Sequence, residues 1–257
     1  MNKIDKYLQK QKKNLLSLYF TAGFPLLDDT IKILSSIQKY GGDMVEIGIP
    51  YSDPMADGPV IQNSNTISLQ NGMNLNLLFK QLQKFNNSYS IPLLLMGYLN
   101  PVLQFGMEKF CRKCKETGID GVILPDMPLK VYQEEYETLF KQYNLYNIFL
   151  VSPATSEKRL KKILNASQGF VYLVSSSTTT GNQVNVQRHL EYVDKIKTIK
   201  PEIPVLMGFG IDNQAKFLQI CEKANGGIIG SAFIEKISEK GNIENHIRQF
   251  IQTIKPS

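Results

Sequence analysis

Residues 44–59, MVEIGIPYSDPMADGP, hold the side chains with the clearest chemical potential: Glu46 lies inside an apolar run, and Asp53 and Asp57 lie in the polar loop that follows. Desolvation in an apolar strand disfavours the charged form of a carboxylate and raises its pKa toward the range useful for proton transfer near neutral pH. A structural carboxylate paired with a buried donor leaves the same signature, so the residues alone leave Glu46 as either. Asp53 precedes Pro54 and Asp57 precedes Gly58, positions where Asp commonly serves an Asx-type turn. Their types and spacing do not choose between the two.

A second group of residues points to an anion. Residues 178–181 (TTTG), 208–210 (GFG) and 230–231 (GS) each follow a short apolar run late in the chain, and the last could open a helix. Glycine lets backbone N–H groups approach a phosphate, and a helix N-terminus adds a favourable dipole. A single glycine at such a place is usually only a turn, but three in register are more informative.

Such groups need a frame. Eight short apolar runs, at 15–20, 44–48, 92–96, 121–124, 148–151, 171–175, 205–207 and 227–229, alternate with amphipathic stretches of about a dozen residues, the pattern of repeated βαβ units. Helices are expected at 28–40, with Ile31, Leu34 and Ile37 inward, and at 129–143, with Tyr132, Tyr136, Leu139 and Phe140 inward. The runs are almost continuously apolar, as parallel strands covered on both faces require. Eight units in 257 residues predict one domain, an α/β (β/α)8 TIM barrel with an extra N-terminal helix within residues 1–13. An open doubly wound sheet is the alternative. In a barrel the working groups stand at the C-terminal strand ends, where Glu46, Asp57 and the glycines would gather.

Composition narrows the function. The +6 net charge comes mostly from lysines scattered along helical segments, and the basic run at 158–162 has no interleaved aromatics, which argues against nucleic acid. No apolar run approaches the ~20 residues of a membrane span. The first 13 residues lack a cleavage or transit pattern, so a cytoplasmic protein is expected, of a bacterial cytosol or a plastid stroma. Cys111, Cys114 and Cys221 are an odd set that fits a reducing compartment, and the C-x-x-C pair lies mid-helix, which favours packing over redox or zinc chemistry. His189 and His246 sit in helical patterns and read as surface or packing residues.

Over nearly its whole length the chain resembles the tryptophan synthase alpha chain family. The likeness is carried by residues 45–59 with Gln62, and by 21–23 (TAG), 96–101 (MGYLNP), 125–128 (PDMP), 180–181 (TG), 208–211 (GFGI) and 230–232 (GSA). It implies a lyase that cleaves indole-3-glycerol phosphate to indole and glyceraldehyde 3-phosphate by a retro-aldol step, with no metal or organic cofactor in this chain. It further implies that Glu46 is the acid–base residue and that Asp57, rather than Asp53, faces the indole N–H. Tyr172 and Thr180 are implied as supporting residues, and Gly181, Gly210, Gly230 and Ser231 as the phosphate cradle. Tyr19, Met96, Tyr98, Ile123 and Leu150 are implied to line the indole pocket, places where apolar residues serve equally as barrel core. The implied partner is a pyridoxal-phosphate beta chain in an α2β2 tetramer, contacted through the loops at 50–59 and 101–106. A stand-alone indole-glycerol-phosphate lyase and a catalytically silent partner of the beta chain are the alternatives. The sequence departs from the family pattern at Thr178, Phe24 and Leu99.

Overall fold

The computed structural model describes residues 1–84, 89–174, 186–208 and 210–255. Its strands are β1 (Leu15–Thr21), β2 (Met44–Gly48), β3 (Leu93–Met96), β4 (Gly121–Ile123), β5 (Tyr146–Asn147), β6 (Leu150–Val151), β7 (Val171–Val174), β8 (Val205–Gly208) and β9 (Gly226–Ile229). They form one sheet in the order β5-β4-β3-β2-β1-β9-β8-β7-β6, and every neighbouring pair is parallel. The two end members are consecutive pieces of one stretch of chain, so the sheet closes on itself as the TIM barrel expected from the sequence. The open-sheet alternative falls with that closure.

The closing stave differs from the single strand expected at 148–151. Ile148 N–H still donates to Val122 O at 2.8 Å, whereas Phe149 O already accepts Tyr172 N–H at 3.0 Å. Hydrogen bonding thus passes from the β4 side to the β7 side within two residues. That handover divides the stave into β5 and β6, a partner change that hydropathy does not report.

Alternation along the strands sorts the residues into two layers. Leu15, Met44, Leu94, Ile123, Ile148, Phe170, Tyr172, Leu206 and Ile228 form a buried cluster inside the barrel. Their neighbours, among them Leu16, Leu18, Val45, Ile47, Leu95, Val205 and Met207, pack outward against the helices. The same parity turns Ser17, Tyr19, Glu46 and Gly48 inward.

Helix α1 (Lys3–Lys10) covers the N-terminal end of the barrel. Asn2 Oδ1 accepts the Ile4 N–H and so caps the helix, while its Nδ2 donates to Asp120 O and Asn144 O, all at 2.8 Å. Ile4 and Leu8 enter the interior cluster, and each such burial contributes about 2 kcal/mol. A Cβ on Gly121 or Gly169 would come within 3.1 or 3.0 Å of Ile4, so the small residues there make its socket.

The remaining helices are α2 (Asp29–Lys39), α3 (Pro59–Gln70), α4 (Leu75–Gln83), α5 (Leu99–Phe105), α6 (Met107–Glu116), α7 (Leu129–Val131), α8 (Glu137–Gln142), α9 (Glu157–Ala166), α10 (Val186–Ile199), α11 (Gln214–Cys221), α12 (Ser231–Ser238) and α13 (Ile243–Ile254). The helix expected at 129–143 is interrupted by a π-helical turn, Tyr132–Tyr136, between α7 and α8. Tyr132 there packs edge-on to Phe140 and Phe149, with ring centroids 5.4 and 5.3 Å away. Cys111, Cys114 and Cys221 are free and buried, and burial pushes the Cys111 thiol up to about 12 and the Cys221 thiol up to about 11, as packing residues would show.

Candidate active site

Glu46 lies at the middle of β2, fully buried and pointing into the barrel. In register it stands beside Tyr19 on β1 and Leu94 on β3. Ser17 Oγ donates to its Oε1 at 2.8 Å, and among the described residues its Oε2 has no hydrogen-bond partner. No ion pair reaches it among the described residues. Desolvation therefore pushes its pKa up to about 8, against a smaller lowering by Ser17. A structural carboxylate would be expected to have a buried cation or several donors; this one has a single hydroxyl.

Two inward tyrosines stand over this layer, Tyr19 on β1 and Tyr172 on β7. Each occupies space that a side chain would otherwise take: a Cβ on Gly48 would lie 2.4 Å from the Tyr19 hydroxyl, and one on Gly208 would lie 2.4 Å from the Tyr172 hydroxyl. Burial raises both phenols above their ordinary range, with nearby Glu46 and Asp57 adding to the effect. Both therefore remain neutral donors at physiological pH.

Tyr19 and Tyr172 form part of the wall of a cavity of about 320 Å³, together with Met96, Ile61, Gly208, Gly210, Gly230 and Ser231. Gly230 precedes α12, whose first residue is Ser231, so the first backbone N–H groups of that helix open at the cavity. This is an anion-binding geometry. Two exposed carboxylates, Asp212 and Glu235, stand at the same end, and Asp212 is paired with Lys216 at 2.7 Å.

Asp57 reaches the site from the loop between β2 and α3. The loop is held from its own helix: Asn65 Oδ1 accepts the Tyr51 N–H at 2.9 Å, and Gln62 Nε2 donates to Asp57 O at 2.9 Å. Tyr98, at the end of β3, donates its hydroxyl to Asp57 Oδ2 at 3.1 Å. Partial burial raises the Asp57 pKa, and the Tyr98 hydrogen bond opposes that rise. Asp53 instead accepts from its neighbour Ser52 at 2.5 Å in an exposed part of the loop. Asp126 Oδ1 and Oδ2 accept the Leu99 N–H at 2.9 and 3.0 Å, tying the next two loops together.

The family model described as tryptophan synthase alpha chain matches residues 6–256. The tryptophan synthase alpha chain of Flavobacterium johnsoniae is 48% identical over 258 residues, covering 99% of this chain and 100% of that one. The corresponding chain of Bacteroides thetaiotaomicron is 46% identical over 256 residues, covering 99% and 100%. The crystal structure of tryptophan synthase subunit alpha from Legionella pneumophila superposes with a TM-score of 0.89 at 33% identity, covering 99% of this chain and 97% of that one. A crystal structure of tryptophan synthase from M. tuberculosis in an aminoacrylate-bound form gives 0.87 at 27% identity, covering 99% and 98%. The chain belongs to the tryptophan synthase alpha chain family.

As a tryptophan synthase alpha chain it is a lyase with the alpha-subunit function in tryptophan biosynthesis, in a family that partners with a beta chain. Of the residues singled out from sequence, the alpha-chain barrel brings Tyr19, Met96, Tyr172, Gly210, Gly230 and Ser231 around one cavity and sets Asp57 against Tyr98. Glu46, Tyr98, Ile123 and Leu150 do not line that cavity; Ile123 is fully buried beside Met96 in the barrel interior. Thr178, Thr180 and Gly181 lie outside the described residues. Sequence reasoning passed over Ser17, Ile61 and the clearances at Gly48 and Gly208. The signal for Ser17 was available: a hydroxyl in an otherwise apolar strand, at an inward position. Among the described residues no group of three or more His, Cys, Asp or Glu is placed to hold a metal ion, and no helix is long and apolar enough to cross a membrane.

Proposed function

We propose that this chain, working as a single barrel domain, cleaves indole-3-glycerol phosphate to indole and glyceraldehyde 3-phosphate, with Glu46 and Asp57 dividing the proton work. The observation that carries this reading is a fully buried Glu46 with, among the described residues, no partner on Oε2 and no counter-cation. With its pKa near 8, Glu46 is mostly a neutral acid at pH 7. It can give its proton to indole C3, which leaves positive charge on the ring nitrogen. The resulting carboxylate takes the proton of the hydroxyl on the adjoining carbon. The C–C bond then breaks, its electron pair returns to the ring, and an aldehyde is left on the phosphate-bearing fragment. Glu46 ends as it began.

Asp57 acts as the carboxylate that faces the indole N–H and stabilises the charge growing there. Tyr98 supports it by donating a hydrogen bond that favours its ionised form. Tyr172 serves near the reacting hydroxyl. Tyr19, Met96, Tyr98, Ile123 and Leu150 surround the indole, while Gly210, Gly230 and Ser231, joined by Gly181, cradle the phosphate. Thr180 holds Asp57 or its loop. Proton transfers complete the reaction, so this chain uses no cofactor of its own, and pyridoxal phosphate belongs to the beta chain.

The partner is a beta chain in an α2β2 assembly, in the cytoplasm. Met55, 86% exposed in the loop before α3, and Leu103, 46% exposed on α5, support a contact through the loops at 50–59 and 101–106. The test is indole release from indole-3-glycerol phosphate by the purified chain, with and without a beta chain. Slow release that rises on adding the beta chain supports this reading; rapid release that it leaves unchanged would favour a stand-alone lyase.

A further inference from the structure

We propose that Ser17 is a positioning residue for Glu46, fixing one carboxyl oxygen so that Oε2 is the oxygen that carries and delivers the proton. This rests on the acid–base role assigned to Glu46 above.

Ser17 is fully buried on β1, at an inward position between Leu15 and Tyr19. A hydroxyl placed there without a partner is costly. Its side chain donates to Glu46 Oε1 at 2.8 Å. In the β1–β2 register Ser17 stands opposite Met44, and Tyr19 stands opposite Glu46, so the hydroxyl meets the carboxyl group from the N-terminal side of its own layer. Because Oε1 accepts that hydrogen bond, the acidic proton of the neutral form resides on Oε2, the oxygen with no partner. The carboxyl group is thereby made asymmetric, with one oxygen anchored and one left to react.

Among the described residues, the surroundings leave this task to Ser17. The titratable groups that face Glu46 are Tyr19 on β1, Tyr172 on β7 and, farther out, Asp57 in the loop after β2. Both phenols are raised by burial and remain uncharged, and Leu94 on β3 offers no polar atom. Among the described residues, the Ser17 hydrogen bond is the interaction that favours the charged form of Glu46 against desolvation. Loss of the hydroxyl should tighten the hold of Glu46 on its proton and release the carboxyl group to rotate.

The experiment compares Ser17→Ala, Ser17→Thr and Glu46→Gln with the unmodified chain, saturated with a beta chain. Two quantities are followed: kcat and KM as functions of pH, and the titration of the Glu46 carboxyl carbon by carbon-13 NMR, assigned by its loss in Glu46→Gln. Ser17→Ala is expected to lower kcat at pH 7 about tenfold with KM within about twofold. Its alkaline limb, where Glu46 loses the proton it must donate, is expected to move up by about one pH unit, and the NMR midpoint with it. Ser17→Thr, which keeps the hydroxyl, returns both toward the original values. Should Ser17→Ala fold poorly, Ser17→Cys, a weaker donor of similar size, gives an intermediate displacement. Coincident limbs and midpoints in Ser17→Ala and the unmodified chain, with Glu46→Gln inactive, overturn the role of Ser17 alone. Near-normal turnover by Glu46→Gln overturns the acid–base assignment beneath it.

Discussion

The Tyr98 hydroxyl stands between two loop groups, donating to Asp57 Oδ2 and accepting the Ala56 N–H, each at 3.1 Å. One phenol at the end of β3 therefore holds in place a carboxylate that sits on a different loop, and opposes the rise in its pKa that burial brings. Tyr51 leans against the same ring, with centroids 5.1 Å apart, and limits its rotation.

Removing that hydroxyl should separate positioning from charge. Tyr98→Phe takes away the interaction that lowers the Asp57 pKa, so the acid limb of the kcat profile is expected to move to higher pH and kcat at pH 7 to fall about fivefold. Asp57→Asn is expected to lose at least about a hundredfold, while Asp53→Asn, whose carboxylate is occupied by Ser52 in an exposed turn, stays within about twofold. Steady-state indole release across pH 5–9 checks all three. A larger loss in Asp53→Asn than in Asp57→Asn would reverse the assignment.

Glu46 couples stability to pH. Its folded pKa, about 8, lies above the ordinary glutamate value of 4.5, so the folded state binds the extra proton more tightly. The stability this brings is complete below the unfolded value and is lost as pH rises through the folded one. The unmodified chain should therefore weaken between pH 4.5 and pH 8 relative to Glu46→Gln, which has nothing to ionise. The gap above that window is expected to be on the order of a few kcal/mol. Urea unfolding of both proteins at pH 5 and pH 9 measures it; equal midpoints for Glu46→Gln and the parent at pH 9 would refute the desolvation account.

The clearances beneath the tyrosines can be filled one at a time. Gly48→Ala and Gly208→Ala place a methyl group within 2.4 Å of Tyr19 and Tyr172 respectively. Each is expected to destabilise the fold by about 1–3 kcal/mol and, by moving a ring into the cavity, to raise KM about tenfold. Thermal unfolding and steady-state kinetics read the two effects. A methyl group accepted without any rise in KM would mean that the rings do not shape the substrate site.

Charge at the proposed phosphate end is tunable. Glu235 is exposed and lines the same cavity as Ser231, and among the described residues it lacks the kind of cationic partner that Asp212 has in Lys216. Its charge opposes an incoming dianion through solvent, so Glu235→Gln is expected to lower KM about twofold to threefold at low salt, with the difference vanishing near 1 M salt. A KM that does not respond to the substitution at low salt would place the phosphate elsewhere.

The barrel was legible because its strands are short, apolar and evenly spaced, and the residues of β2 and β8 fall almost where hydropathy put them. The split at 148–149 was not, since a change of hydrogen-bonding partner alters no side chain. Likewise the π-helical turn at Tyr132–Tyr136 leaves the amphipathic pattern of 129–143 nearly intact. At the site, desolvation of Glu46 followed from its apolar neighbours. The preference for Asp57 over Asp53 did not, because only the fold brings Tyr98, 41 residues away, to one of them. Ser17 lay in plain view, but reading it required strand parity as well as hydropathy.

Helix α1 has a consequence for traffic. With Ile4 and Leu8 seated in the barrel and Asn2 bonded to the chain at Asp120 and Asn144, the molecule is a cup rather than a tube. Substrate, water and both products must share the single rim bounded by the strand C-terminal ends. A protein that docks on that rim therefore stands beside the route by which substrate enters and products leave, whatever its specific recognition.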